Sequence, residues 1–317
     1  MTSLPAAPSP DPTVTTDELI LHLFVFVDDL YQATAPDHIR YRRGHGRLHL
    51  SDSEVLTLSL LQEALSLDSE ASFFLHARRS FLHLFPRLVS RDRYHRRRPP
   101  LINGGALMSM HQVLFGHLAQ HAEMASRYLI VDSAPVETVK FVRSQSGKRS
   151  IPQADYGYVA ARKQVFFGLR LHALVSDGGA VVDFGLTPAD TSERDVAREM
   201  LDHRGGASVL ADQGYSGAPM RAYAQQVGID LVVTAARVHG GDRAPGAALR
   251  RSWRAKRARI ESVFASLADQ FGASVTRARS TLGVSLRVVA KMVAYNASLV
   301  LNRMLGRSET AIKSLFI

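Results

Sequence analysis

The chain has 317 residues, 46% of them hydrophobic, with a net charge of +10 and no cysteine. That length holds one large domain or two ordinary ones, and the missing cysteines exclude disulfides and thiolate-ligated zinc, as suits a cytoplasmic protein. The positive balance points to a polyanionic partner. It is concentrated at Arg40–Arg47, Arg91–Arg98 and Arg250–Arg259, none on an interfacial Trp/Phe/Leu helix face, so nucleic acid fits better than a membrane surface.

Residues 1–14 are rich in Pro, Ala, Ser and Thr and lack a basic start and an apolar core, which predicts a disordered tail rather than a targeting peptide. No apolar run approaches the roughly 18 residues a membrane span needs; the longest is Leu19–Val27. Residues 15–125 read as all-helical. Thr15-x-x-Glu18 and Ser51-x-x-Glu54 are capping-box patterns placed before apolar runs. Val55, Leu58, Leu61 and Leu65 keep helical spacing after the second, and further apolar segments follow to Phe85 and over Leu107–Leu118. This half is expected to bind DNA. Arg96, Arg97 and Arg98 would serve either a helix-turn-helix reader or a solvated basic loop on a helical bundle.

From residue 126 the pattern changes to short apolar runs rich in Val and Ile. Leu129–Val131 predicts a core strand ending at Asp132. Val165–Val175 and Ala180–Leu186 predict a hairpin across Ser176-Asp-Gly-Gly179. A helix is expected from Thr191 to His203, a strand at Val209–Ala211, a helix over Pro219–Val227 and a strand at Leu231–Thr234. A loop over 236–252 precedes helices at Trp253–Phe271 and Ser285–Leu305. The order gives an α/β domain over 126–306, a mixed sheet with flanking helices, and leaves 307–317 as a tail.

Asp132 and Asp212 each follow an apolar strand, where open α/β sheets place ligands, though a turn would also explain either acid. Two such carboxylates would converge if their strands are neighbours, and paired carboxylates anchor hard divalent cations. Glu261 lies beside the apolar stripe Ile260, Val263, Phe264, Leu267 and Phe271 of an amphipathic helix, with Arg257 four residues back. Alone, that pair reads as a solvated Arg–Glu contact. Together with the two Asp and a dense basic run, it matches a two-metal site for in-line phosphoryl displacement.

On these residues the sequence resembles the DDE transposases of bacterial insertion sequences. The carriers are Ile130-Val-Asp-Ser-Ala-Pro-Val136, Phe167-Gly-Leu-Arg-Leu-His172, Leu186-Thr-Pro-Ala189, Leu210-Ala-Asp-Gln-Gly-Tyr215 and Arg257-Ala-Arg-Ile-Glu261. The resemblance implies a ribonuclease-H-like catalytic domain with the triad Asp132, Asp212 and Glu261, and two ions of Mg²⁺ or Mn²⁺. It implies cutting at the terminal inverted repeats of a mobile element, joining of the 3′-hydroxyl to target double-stranded DNA, and a homodimer working on DNA. Arg257 would hold phosphate or orient Glu261, and Arg250, Arg251, Arg254 and Lys256 would follow the DNA backbone. Many relatives carry a Tyr three residues before that Arg and a Lys seven after the Glu; Arg254 and Ala268 stand there instead, so those phosphate roles are not carried over.

Other candidates have plainer explanations. His172 reads as a half-exposed strand residue and Asp155-Tyr-Gly-Tyr158 as a turn. Glu137 reads as a surface acid, and Asp190, Glu193 and Asp195 as acids favoured by a helix dipole. Trp253 fits a core or loop position better than a contact to an unpaired base. No Gly-x-x-x-x-Gly-Lys-Ser/Thr stretch offers a nucleotide cofactor a site. Three alternatives stand beside the transposase: a stand-alone two-metal nuclease, an inert DNA-binding relative and a phosphatase. The last fits poorly with the basic clusters and lacks an Asp-x-Asp pair.

Overall fold

The computed structural model describes residues 14–44, 46, 48–120, 128–138, 151–159, 162–233, 247–275, 278, 280–312 and 315. The predicted tail before Val14, the loop over 236–246 and parts of the 307–317 tail lie outside the described residues. The chain divides into two compact units: Met1–His117 with Leu267–Ala273 and Leu282–Ile317, and Leu118–Ser266 with Ser274–Thr281.

The first unit is helical: α1 Thr16–Thr34, α2 Asp37–Arg40, α3 Asp52–Ala64, α4 Glu70–Ser80, α5 Arg91–Asn103 and α6 Ala106–Ala119. Both capping boxes form. The Glu18 and Glu54 backbone N–H groups donate to Thr15 Oγ1 at 3.3 Å and Ser51 Oγ at 3.1 Å. Each glutamate returns to the cap's own N–H, so two orphan donors are satisfied at each helix start. The basic run Arg91–Arg98 forms the first turns of α5, not a loop, and Tyr94 and Arg98 face the core.

The last helix, numbered here as α10 Thr281–Met304, joins this unit from Leu282 onward, whereas the sequence reading placed it in the catalytic domain. Every residue from Ala290 to Asn302 is buried. By length and composition α10 could cross a membrane, yet 83% of its apolar window is buried in the protein, as in a core helix.

The second unit carries a six-stranded mixed sheet: β1 Leu129–Glu137, β2 Asp155–Val159, β3 Gln164–Ser176, β4 Val181–Pro188, β5 Ser208–Ala211 and β6 Asp230–Val233. The order is β2-β3-β1-β5-β6, with β4 also on β3. β1, β5 and β6 run parallel, and β3 is antiparallel to its neighbours. Helices α7 Glu193–Leu201, α8 Ala218–Val227 and α9 Ala247–Asp269 complete the unit, α9 belonging to it as far as Ser266. Phe166–Ser176 is buried throughout, so β3 lacks the alternation of a half-exposed strand. The predicted β3–β4 hairpin forms, with Gly179 in the left-handed region at φ 96°.

Asp155-Tyr-Gly-Tyr158 is a correction: these residues form β2, not a turn. Asp and Gly are poor strand formers, and packing overrides them. A Cβ on Gly157 would come within 2.6 Å of the Phe166 ring, so glycine lets this strand close over that ring.

Candidate active site

Sequence reading put Asp132 at the end of a short strand. In the structure β1 continues to Glu137, and what stops near Asp132 is its pairing with β5, made by Leu129↔Val209 and Ile130↔Leu210. Carrying that register two residues further sets Asp132 level with Asp212, both on one face of the sheet. The pairing of β1 with β3 runs on past this point, so the acid emerges where the sheet loses one neighbour, not where the strand ends.

The Asp132 side chain is 17% exposed. Its Oδ1 accepts from the Ser133 N–H at 2.8 Å and its Oδ2 from Arg257 Nη1 at 2.9 Å. Burial pushes the carboxyl up to about 6, with the charges of Asp212 and Glu193 adding to it and the Ser133 hydrogen bond and Arg257 opposing it. Asp212 is half-buried and caps the 3₁₀ turn Gln213–Tyr215, its Oδ1 accepting from the Gly214 N–H at 2.7 Å. A Cβ on Gly214 would stand 2.9 Å from that same oxygen, so a side chain there would crowd the carboxylate.

Glu261 lies on α9 with its side chain 58% exposed and its Oε1 2.7 Å from Arg257 Nη2. The expected i,i+4 pair therefore forms, and Arg257 reaches beyond it, its two terminal nitrogens divided between Glu261 and Asp132. Direct convergence of the three acids is not what the structure shows. Among the described residues no three His, Asp or Glu side chains stand close enough together to hold a metal ion. Asp212 follows the strand that neighbours β1 and its charge reaches Asp132, and Glu261 is joined to Asp132 through a guanidinium.

Three residues of this neighbourhood escaped the sequence reading. Arg170 on β3 is buried, and its Nη1 donates to Glu193 Oε1 at 2.5 Å and to Ser133 Oγ at 3.2 Å. Glu193, explained from sequence by the helix dipole, is thus an ion-pair partner whose charge reaches Asp132. Tyr215 is 1% exposed and its hydroxyl finds no hydrogen-bond partner among the described residues. Burial raises that hydroxyl's pKa first, then the charges of Glu193, Asp132 and Asp212. Asp212-Gln-Gly-Tyr215 was legible as a motif, but nothing in it said that the ring turns inward.

His172 is a further correction, being 1% exposed rather than half-exposed. Its Nε2 lies 2.9 Å from Thr187 Oγ1, and burial, with the charge of Arg170, pushes its pKa down to about 4. It is a neutral core residue at pH 7.

Of the residues expected to meet DNA, Arg96, Arg251, Arg254 and Lys256 are exposed, while the Arg250 side chain lies outside the described residues. Arg97 and Arg98 are corrections. Arg97 donates to the Leu50 carbonyl and, at 2.6 Å, to Asp52 Oδ1. Arg98 is 5% exposed and bonds Gln62 and Glu70. Both serve the helical unit's own buried acids, because a helix start with a basic residue at nearly every position must point some of them inward. On α9, Lys256 lies 4.8 Å over the Tyr128 ring. There a groove of about 450 Å³ is lined by Tyr128, Asp177, Ser252, Lys256, Arg259 and Ser262 among others.

The donor set suits a hard divalent ion: carboxylate oxygens in β1 and just past β5, one of them held protonated to an unusually high pH chiefly by burial. Asp132 and Asp212 supply donors of the right chemistry, and Glu261 would join them only by parting from Arg257.

A family model described as the transposase DDE domain matches residues 124–297. No curated protein matches the chain. Among solved structures, the cryo-EM structure of the piggyBac transposase synaptic complex with hairpin DNA is similar at 9% identity. It covers 97% of this chain and 81% of that one with a TM-score of 0.47, too distant to bear on function.

Proposed function

The chain belongs to the family of transposases built on the DDE domain, and on that footing we propose that it cuts the ends of a mobile DNA element and joins the freed 3′-hydroxyl to target DNA. The observation that carries this reading is Asp132 in β1 with Asp212 just past the end of the neighbouring parallel strand, its charge reaching Asp132, and Arg257 bridging from Asp132 to Glu261. Asp132 and Asp212 would hold two ions of Mg²⁺ or Mn²⁺, which when bound stabilise charge on the phosphoryl oxygens and lower the pKa of the attacking hydroxyl.

The protein's own groups do the rest. The Ser133 and Gly214 backbone N–H groups fix one oxygen of each Asp, and the second oxygen of Asp132 is held by Arg257. Arg257 is the cation nearest the acids and is itself part-exposed, so an incoming phosphate competes with Asp132 and Glu261 for its guanidinium. Once Arg257 turns to phosphate, Glu261 is free to complete the acidic set. The exposed Arg251, Arg254 and Lys256, with Arg259 in the adjoining groove, would follow the strand leading to the reacting phosphate. Two element ends must be cut and joined together, so the working form is a homodimer on DNA.

The test is incubation with supercoiled DNA carrying the element's inverted repeats and Mg²⁺. End cleavage with joined products supports the reading. Cleavage without joining would make the protein a hydrolytic nuclease, and binding without cleavage an inert relative. Asp132→Asn, Asp212→Asn and Glu261→Gln should each abolish cleavage while DNA binding persists; activity surviving in Glu261→Gln removes that residue from the site.

A further inference from the structure

The pairing of β1 with β5 ends at Ile130↔Leu210, before either acid. Among the described residues no β1–β5 register pair therefore includes Asp132 or Asp212, and two nearby carboxylates repel. The first turn of α7 reaches both. On one side Glu193 Oε1 accepts from Arg170 Nη1 at 2.5 Å, that nitrogen donates to Ser133 Oγ at 3.2 Å, and the Ser133 N–H donates to Asp132 Oδ1 at 2.8 Å. On the other, Arg194 Nε donates to the Gly214 carbonyl at 2.6 Å, and the Gly214 N–H donates to Asp212 Oδ1 at 2.7 Å. Each acid is thus held by the backbone N–H of a residue that α7 holds in turn. The helix is a firm base, with Val196, Ala197, Met200 and Leu201 buried against the unit's core.

We propose that Glu193 and Arg194 are positioning residues which, as a yoke from α7, set the separation of Asp132 and Asp212 for cation binding and catalysis. Arg170 anchors the Glu193 arm: it also donates to the Tyr158 and Ala189 carbonyls, at 3.2 and 3.4 Å, so it cannot follow Glu193 outward without leaving them. The buried Tyr215 hydroxyl, which feels the charges of Glu193, Asp132 and Asp212, has no hydrogen-bond partner among the described residues. The inference rests on the proposed reading of the two Asp as the catalytic pair.

Arg194 is exposed, so truncating it leaves the core intact, whereas Glu193→Ala also deprives the buried Arg170 of its acid and costs stability of its own. The experiment is calorimetric titration of Mn²⁺ into wild-type protein, Glu193→Ala, Arg194→Ala and the double variant, paired with DNA-cleavage kinetics. Each single truncation should weaken Mn²⁺ binding about 3- to 10-fold and the double variant more than either. The kcat should fall and the KM for DNA hold, with thermal unfolding little changed in Arg194→Ala, the variant that leaves no buried charge unpaired. Glu193→Gln, which keeps an acceptor for Arg170, and Arg194→Lys, which keeps a donor for Gly214, should recover most of the loss. A purely structural role would move unfolding and leave Mn²⁺ affinity alone. Asp132→Asn and Asp212→Asn separate the two levels. If they abolish Mn²⁺ binding while the α7 truncations bind as wild type, the yoke is wrong; if they too bind as wild type, the reading of the Asp pair falls and the yoke with it.

Discussion

The helical unit and the sheet unit both bury carboxylates, and they treat them in opposite ways. Asp52 on α3 is 2% exposed and surrounded by donors: Arg42, Arg97 and the Tyr31 hydroxyl at 2.7 Å. Burial pushes its carboxyl up, but hydrogen bonds from Arg42 and Tyr31, the Arg42 charge and a further bond from Arg97 outweigh that and hold it below the usual carboxylate value. Glu63, also on α3 and fully buried, has Lys291 at 2.6 Å and Arg287 at 2.9 Å. Asp132 meets other acids instead, with one arginine that it shares with Glu261. A carboxylate kept for structure is neutralised from within the fold. One left short of positive charge is a place for an outside cation, at a cost in stability while none is bound.

The comparison can be broken in order of expected effect. Glu63→Ala should cost the most, roughly 3–5 kcal/mol in urea unfolding, because it strands the nearly buried Lys291 and Arg98 beside an empty site. A loss under about 1 kcal/mol would mean that those cations reach water and that the helical acids are not held as described.

Asp132→Asn should do the reverse. With the folded carboxyl raised to about 6, the native state binds the proton more tightly than the unfolded chain does. Its contribution to stability is thus present at low pH and lost as pH rises through the window from about 4 to 6. At pH 7, without divalent ions, Asp132→Asn should therefore be more stable than wild type, by at most about 3 kcal/mol. The wild-type decline across that window should flatten in the variant. Asp52 has the opposite sign: its folded carboxyl is lowered, so its contribution is lost as pH falls. Unfolding followed from pH 4 to 7 in Asp132→Asn and wild type checks the difference.

The smallest stability effect belongs to Glu261→Gln. Its exposed pair with Arg257 is worth well under about 1 kcal/mol, so unfolding should scarcely change while DNA cleavage is lost. A large stability change without loss of cleavage would make Glu261 a structural residue.

Much of the molecule could be read from the sequence where local chemistry decides. Both capping boxes, the Asp-Gly hairpin and the alternation of strands and helices after β4 follow from spacing and turn residues, and Asp132, Asp212 and Glu261 each stood out by position. What could not be read depends on partners far along the chain. β2 is made by pairing with β3 against its own composition. Arg97 and Arg98 turn inward because Asp52, Glu63 and Glu70 need them. Glu193 serves Arg170 on β3, 23 residues earlier, a distance over which no local pattern speaks. The same holds for Arg257, whose i,i+4 contact to Glu261 was legible and whose contact to Asp132, 125 residues away, was not.

The most direct test of an under-compensated Asp pair awaiting a cation is thermal unfolding of wild type and Asp132→Asn at pH 7.5, with and without Mn²⁺. Wild type should gain several degrees from the ion by preferential binding to the folded state, and Asp132→Asn should gain little or nothing. An equal gain in both proteins, or none in wild type, would contradict the assignment of the cation to Asp132 and Asp212.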